Sequence, residues 1–279
     1  MKISCKGFYD IHLHPGPDVS PRKFSDEEVA ERLSKKKFAG FVLKNHFSET
    51  VSRADLLQSR YPSMLIVGGI VLNRTVGGMN PYAVENCSKL GGRICWMPTL
   101  EARSYQQKKK PELTKQEADS YLYLLDPEGK LKPEVVSVLE TVARCGMALA
   151  TGHISAQEGL AVLQKGKELG IRTLIATHAD NPADYYTKEE RKKVVQLGGF
   201  VEHCFFNVRR GDTPIEELVE EIRELGADHV LLSSDVGQPS SPYPDEAMEM
   251  FAEILLENGL SQDELDWCFK KNPKRILEA

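Results

Sequence analysis

Eight short runs rich in Val, Ile, Leu and Phe alternate with longer amphipathic stretches along this chain of 279 residues, and that alternation constrains the fold more than any other feature. The runs cover residues 7–14, 40–44, 64–71, 93–97, 148–151, 173–177, 199–203 and 229–233, mostly bounded by Gly, Asn, Asp or Pro. The stretches between them carry helix-start signals. Ser25-Asp26-Glu27-Glu28, Ser155-Ala156-Gln157-Glu158, Thr187-Lys188-Glu189-Glu190 and Ser261-Gln262-Asp263-Glu264 all fit the capping box, in which the first and fourth side chains satisfy each other's orphan amides. Thr213-Pro214 reads as a cap followed by a first-turn proline. Gly40, Gly91, Gly146, Gly170, Gly198, Gly226 and Gly259 each follow a helical pattern, where a glycine C-cap belongs.

Strand–helix alternation implies a parallel sheet with crossover helices. Eight such units predict an α/β fold, a single (β/α)8 TIM barrel over residues 1–279; about 250 residues is typical of one. An open doubly wound sheet is the alternative, but no GxGxxG follows the first strand, and Gly77-Gly78 is too little to stand in for it. Residues 101–133 break the rhythm. Tyr121-Leu122-Tyr123-Leu124-Leu125, then Asp126-Pro127-Glu128-Gly129-Lys130, then Leu131 predict a β-hairpin inserted after the fourth strand.

Charge and cysteine usage exclude several classes. A net charge of -5 leaves no basic excess for nucleic acid. No stretch approaches the roughly 20 apolar residues that span a bilayer, and the N-terminus lacks a signal-peptide core. Six scattered cysteines with no CxxC suit reduced thiols and a cytoplasmic setting. Cys204, beside His203, is the one placed near a candidate site. A small-molecule substrate is the expected partner, and a homo-oligomer is compatible.

The histidines carry the chemistry through their placement. Of seven, six (His12, His14, His46, His153, His178 and His203) fall at or just past the C-terminal end of a predicted strand, the end where such barrels build active sites. His12 and His14 share a strand face, separated by roughly 6.6 Å of rise, which lets two imidazoles close on one ion with bonds near 2.1 Å. Gly152-His153, Thr177-His178 and Ser234-Asp235 end the fifth, sixth and eighth strands with further imidazole and carboxylate ligands. Lys44 ends the second strand, His46 shares its face, and Arg74 follows the third. Lys44, His46, Arg74 and His203 are therefore candidate substrate contacts, Arg74 through a bidentate grip on an anionic group; an extra ligand role stays open for His46, a buried structural role for His203 and a plain surface role for Arg74.

These motifs resemble the amidohydrolase superfamily of metal-dependent hydrolases. The resemblance rests on the HxH of strand one, single histidines ending strands five and six, an aspartate ending strand eight and the closing Asn272-Pro273-Lys274-Arg275-Ile276-Leu277. His12-Leu13-His14-Pro15-Gly16-Pro17-Asp18, Leu43-Lys44-Asn45-His46, Trp96-Met97-Pro98-Thr99 and Ala150-Thr151-Gly152-His153 are similar to a less characterised branch of small barrels. The resemblance implies one or two divalent metals, Zn foremost with Mn, Ni or Fe as alternatives, on His12, His14, His153, His178 and Asp235. Binuclear relatives bridge their metals with a strand-four lysine or glutamate; here Glu101 is the available carboxylate and Lys44 the alternative. The implied activity is hydrolysis of a small amide, lactone or ester by metal-activated water, with Asp235 as general acid/base. Decarboxylation, a Schiff-base lyase using Lys44, and a non-catalytic metal- or ligand-binding barrel are the rival readings.

Overall fold

The computed structural model describes residues 3–278. Its strands are β1 (Tyr9–Leu13), β2 (Gly40–Leu43), β3 (Leu65–Val71), β4 (Ile94–Trp96), β5 (Ala148–Ala150), β6 (Leu174–Ala176), β7 (Phe200–Cys204) and β8 (Val230–Ser233). They follow one another in sheet order as in sequence, with parallel pairing from β1 through β7. Helices fill the connections. This is the (β/α)8 barrel that the alternation predicts. Almost every strand residue is buried, which explains why the strands read as continuous apolar runs rather than alternating ones.

The chain divides into two compact units. The first takes residues 3–45, 50–68 and 202–278. In it Leu13 bridges Val236, just past β8, in parallel, and the pairing of β1 with β2 slips between Asp10 and Leu13. Phe8 stacks on Phe269 with ring centroids 4.6 Å apart, and Phe251 meets Phe269 edge-on; Leu231 and Leu255 are buried in the same unit. The second unit takes residues 46–49 and 69–201. Ile94, Leu149 and Ile175 of its strands are buried with Val138, Leu139 and Val162 of its helices.

All four predicted capping boxes form, at Ser25, Ser155, Thr187 and Ser261. A fifth, Thr114 with Glu117, starts the short helix Lys115–Asp119. Pro214 is itself the N-cap of the helix Ile215–Leu225, one position earlier than the first-turn proline expected. Six of the seven stop glycines have positive φ. Gly40 does not: it lies inside β2, and Lys37, at φ 61, makes the left-handed turn after the first helix.

The insertion differs most from expectation. Residues 103–109 and 115–119 form two helices, and the hairpin shrinks to one antiparallel bridge between Leu125 and Leu131. Asp126 shapes the turn: its Oδ1 accepts from the amides of Glu128 and Lys130, while backbone bonds from Asp126 N to Lys130 O and from Lys132 N to Leu124 O close the short pairing. Among the described residues no helix is long and apolar enough to cross a membrane, and all six cysteines are free.

Candidate metal centre

In the first unit, residues 10, 12 and 14 share one face of β1 and its extension, as strand alternation requires. Asp10 Oδ1 accepts from the backbone amides of His12 and Ser234, tying β1 to the end of β8. The tie continues with Asp235 N donating to His12 O at 2.8 Å and His14 N donating to Val236 O at 2.8 Å. Gly237 makes this approach possible. A Cβ there would sit 2.0 Å from the His14 carbonyl oxygen, and its φ is 149°.

That frame converges three side chains. Asp235 Oδ1 lies 3.3 Å from His12 Nε2 and 3.2 Å from His14 Nε2. Lys44 Nζ stands 2.7 Å from His12 Nε2. His12 Nδ1 meets the Glu202 carboxylate at 3.2 and 3.3 Å, and Ser233 Oγ donates to the same carboxylate at 2.9 Å. Lys44, nearer to Nε2 than Asp235 is, and Glu202 point His12 to the same tautomer. An ammonium can only donate and a carboxylate can only accept, so Nδ1 carries the proton and Nε2 the lone pair. Burial holds both imidazoles neutral: it lowers the pKa of His12, with the Lys44 charge adding to the effect, and lowers that of His14 to about 3. Neutral imidazole is the form that binds a metal.

In the second unit, Gly152 has φ 62°, and a Cβ on it would sit 2.4 Å from Met97 O. The close turn lets His153 N donate to Pro98 O. The His153 ring lies 4.9 Å from that of His178, 5.6 Å from that of His46 and 4.9 Å from that of Tyr105. His178 Nδ1 stands 3.0 Å from Asp184 Oδ2, and both residues are buried. His46 Nδ1 is 2.8 Å from Thr99 Oγ1, which Asn73 also contacts.

Three non-glycine residues among those described have positive φ: Lys37, His178 (27°) and Asp235 (50°). Two of the three are candidate ligands at strand ends. Backbone strain of order 1–3 kcal/mol persists where surrounding contacts over-determine it, commonly at functional sites.

The candidates thus sort themselves. His12, His14, Lys44 and Asp235 gather in the first unit, and His46, His153 and His178 in the second. Glu101 turns to Arg74, whose backbone amide donates to its carboxylate at 2.5 Å. The Arg74 guanidinium, half exposed, reaches the Ser120 carbonyl and lines a cavity of about 700 Å3 with Tyr121, Tyr123 and Lys132. None of the histidines lines that cavity. His203 is fully buried on the opposite face of β7 from Glu202, 3.7 Å from Glu221 of the helix Ile215–Leu225. That placement puts it on the helix side of the strand, away from Glu202. Sequence reading passed over Glu202, Thr99, Asn73 and Asp184. Alternation along β7 gave a usable signal, since Glu202 and Cys204 must share the face that His203 does not; Cys204 Sγ lies 3.9 Å from His12 Nδ1.

Among solved structures, an amidohydrolase from Pseudomonas aeruginosa matches at a TM-score of 0.67 and 13% identity, covering 98% of this chain and 96% of the other. A probable 2-pyrone-4,6-dicarboxylic acid hydrolase from Acinetobacter baumannii, solved with citric acid bound, matches at 0.63 and 14%, covering 98% and 100%. A 2,6-dihydroxybenzoate decarboxylase from Rhizobium matches at 0.60 and 13%, covering 98% and 99%. At such identities the likeness shows the fold, the barrel on which amidohydrolases are built. Among curated proteins none matches this sequence. Residues 7–202 match the model of a family of unknown function, DUF6282, and the chain belongs to that family.

Proposed function

We propose that this chain is a metal-dependent hydrolase acting on a small amide, lactone or ester. The observation that carries the reading is the convergence of His12 Nε2 and His14 Nε2 on Asp235 Oδ1. The donor set fits a divalent ion: two neutral imidazoles with buried nitrogens and one carboxylate suit Zn and its first-row neighbours. His153 and His178, whose rings lie 4.9 Å apart in the second unit, are the candidate ligand pair there. When bound, the ion supplies Lewis acidity, which polarises the oxygen of the bond under attack and lowers the pKa of a coordinated water from 15.7 toward about 7.

The residues do the rest. Glu202 holds His12 in the ligand tautomer, the support that a carboxylate gives a metal-binding histidine. Asp235, at the centre of the converging atoms, accepts a proton from the attacking water and passes it to the leaving group. Lys44 gives up the His12 lone pair and pairs with an anionic group of the substrate. The citric acid held by the Acinetobacter hydrolase supports an anionic substrate by analogy of fold.

Metal analysis by mass spectrometry, on protein purified without chelator or affinity-column metal, tests the reading. One to two equivalents of Zn, Mn, Ni or Fe are expected in wild type and none in His12→Ala/His14→Ala. Near-zero metal that cannot be restored by adding the ion would sink it. Decarboxylation is the second reading, favoured by the buried Lys44 ammonium, a ready partner for a carboxylate, and by the Rhizobium decarboxylase among the structural matches. Release of CO2 from aromatic or pyrone carboxylates separates the two.

A further inference from the structure

In the second unit a glycine stands inside a helix where alanine would serve the helix better. Gly159 belongs to the helix Ala156–Glu168, and its amide donates to Ser155 O at 2.8 Å. Its backbone is ordinary right-handed helix, so conformation does not call for glycine. Tyr186 does. A Cβ on Gly159 would sit 1.8 Å from the Tyr186 hydroxyl oxygen and 2.9 Å from the ring carbon that bears it. Tyr186 is fully buried, its phenol seated in the notch that the missing Cβ leaves. Tyr186 also closes the segment that follows β6. Its amide donates to Ala179 O at 2.9 Å, and its carbonyl accepts from Arg191 Nε at 2.8 Å. Within the segment, Asn181 N donates to His178 O at 2.7 Å and Asp184 N to Asn181 O at 3.2 Å. The chain thus folds back until the buried Asp184 carboxylate faces His178 Nδ1 at 3.0 Å. A carboxylate only accepts, so that contact favours the ring proton on Nδ1.

We infer that Tyr186, pinned in the Gly159 notch, is a positioning residue for His178. The pin fixes the 179–186 segment, and with it the carboxylate that orients the ring. The role rests on the metal reading above, in which His178 is a ligand, because a histidine ligand is oriented through the partner of its other nitrogen. His178 has a φ of 27°, a conformation that persists only where surrounding contacts over-determine it, and the return of the segment to Ala179 O is one of them. A close-packed interior leaves little room to relax, so an atom forced into the notch must move the segment. The same helix supplies a contrast. Gly166 also lacks room for a Cβ, but against the side chains of Leu149 in β5 and Leu174 in β6, not against the segment.

The experiment joins unfolding midpoints to long-range 1H–15N spectroscopy of the full-length protein labelled at histidine, first metal-free and then with ZnCl2. His178→Gln assigns the ring. Gly159→Ala, a change that stabilises an ordinary helix, should instead lower the midpoint and shift the His178 ring nitrogens. Adding Tyr186→Phe removes the overlapping oxygen and should return both toward wild type, leaving the double variant more stable than Gly159→Ala alone. If Gly159→Ala does not fold, recovery of folding in the double variant reads the same coupling. Gly166→Ala should lower the midpoint and leave the His178 signals in place. A Gly159→Ala protein as stable as wild type, His178 signals that it leaves unmoved, no rescue by Tyr186→Phe, or equal His178 shifts in Gly166→Ala overturns the inference. Zinc that does not move His178 in wild type removes its ligand role, while the metal-free variants still decide the pin.

Discussion

His12 and His46 each end up buried with Nδ1 at a polar partner, yet their surroundings are opposites. His12 is held by charged groups from strands, with Glu202 on one nitrogen and Lys44 on the other. His46 is held by a neutral amide–hydroxyl pair from the segments after β3 and β4. A carboxylate pulls a proton onto the ring nitrogen that it faces and leaves the far nitrogen basic. A buried hydroxyl that already accepts from an amide can offer its own proton to the nitrogen that it faces. The difference teaches that strand-end histidines are not one class: one is set among charges, the other among neutral groups.

The largest break in that comparison is made at the acid/base itself. Asp235→Asn keeps the oxygen near His12 and His14 but removes its ability to take a proton. Once a hydrolysed ester or lactone has been identified, its turnover should fall by roughly 10²–10⁴, with much of the metal retained at saturating zinc. Unchanged turnover would remove Asp235 from the mechanism. Gly237→Ala comes next and strikes the frame rather than the chemistry. Its Cβ has nowhere to go beside the His14 carbonyl, so the cost should reach at least about 1–3 kcal/mol, read as a lowered unfolding midpoint. Gly152→Ala makes the matching cut in the second unit, against Met97 O. Loss of zinc binding by Gly237→Ala, as well as stability, is the sharper outcome, because the 235–237 segment carries a ligand.

Glu202→Gln tests the comparison directly. Losing the ionised partner of His12 Nδ1 should weaken zinc binding by about 10–100-fold, the usual price of a lost outer-shell carboxylate. Thr99→Val should leave zinc affinity where it was. Equal losses in both variants would mean that the two settings are not distinct.

How much of this was legible beforehand follows the same line. The ligand candidates could be read because strand ends are marked by glycine, proline and apolar runs, and the histidines sit on those marks. Glu202 was harder to see. All five residues of β7 are buried, so polarity gives no clue to which face looks inward, and attention fell on His203, its outward neighbour. Thr99 and Asn73 could not be read at all. They lie 26 residues apart, and only the parallel pairing of β3 with β4 brings them together. The helix Arg103–Lys109 was hidden for another reason: it has no capping side chain and no buried residue, so no periodic apolar face announces it. The capping box at Thr114 was there to be read and marks the helix that follows.

The smallest effect separates the frame from the ligands by pH. Burial raises the carboxyl of Asp10 from an ordinary 3.8 to about 7, and the charge of Glu202 pushes the same way. The native state therefore binds this proton more tightly than the unfolded chain does. The stability it lends is whole below the unfolded pKa and drains away as pH rises through the folded one. His14 behaves in the opposite sense, since its lowered pKa costs stability as pH falls through the unfolded value near 6.5. Asp10→Asn keeps the oxygen that accepts from His12 and Ser234 and cannot ionise. Histidine effects cancel in the difference between wild type and this variant. Between pH 5 and pH 7 wild type should lose about 2 kcal/mol relative to Asp10→Asn, at close to 1.4 kcal/mol per pH unit, in denaturant unfolding. Parallel curves would show that Asp10 ionises as freely in the folded chain as in the unfolded one. The tie between β1 and the end of β8 would then be a carboxylate accepting two amides, and the charge beneath His12 would have to be counted with those around it.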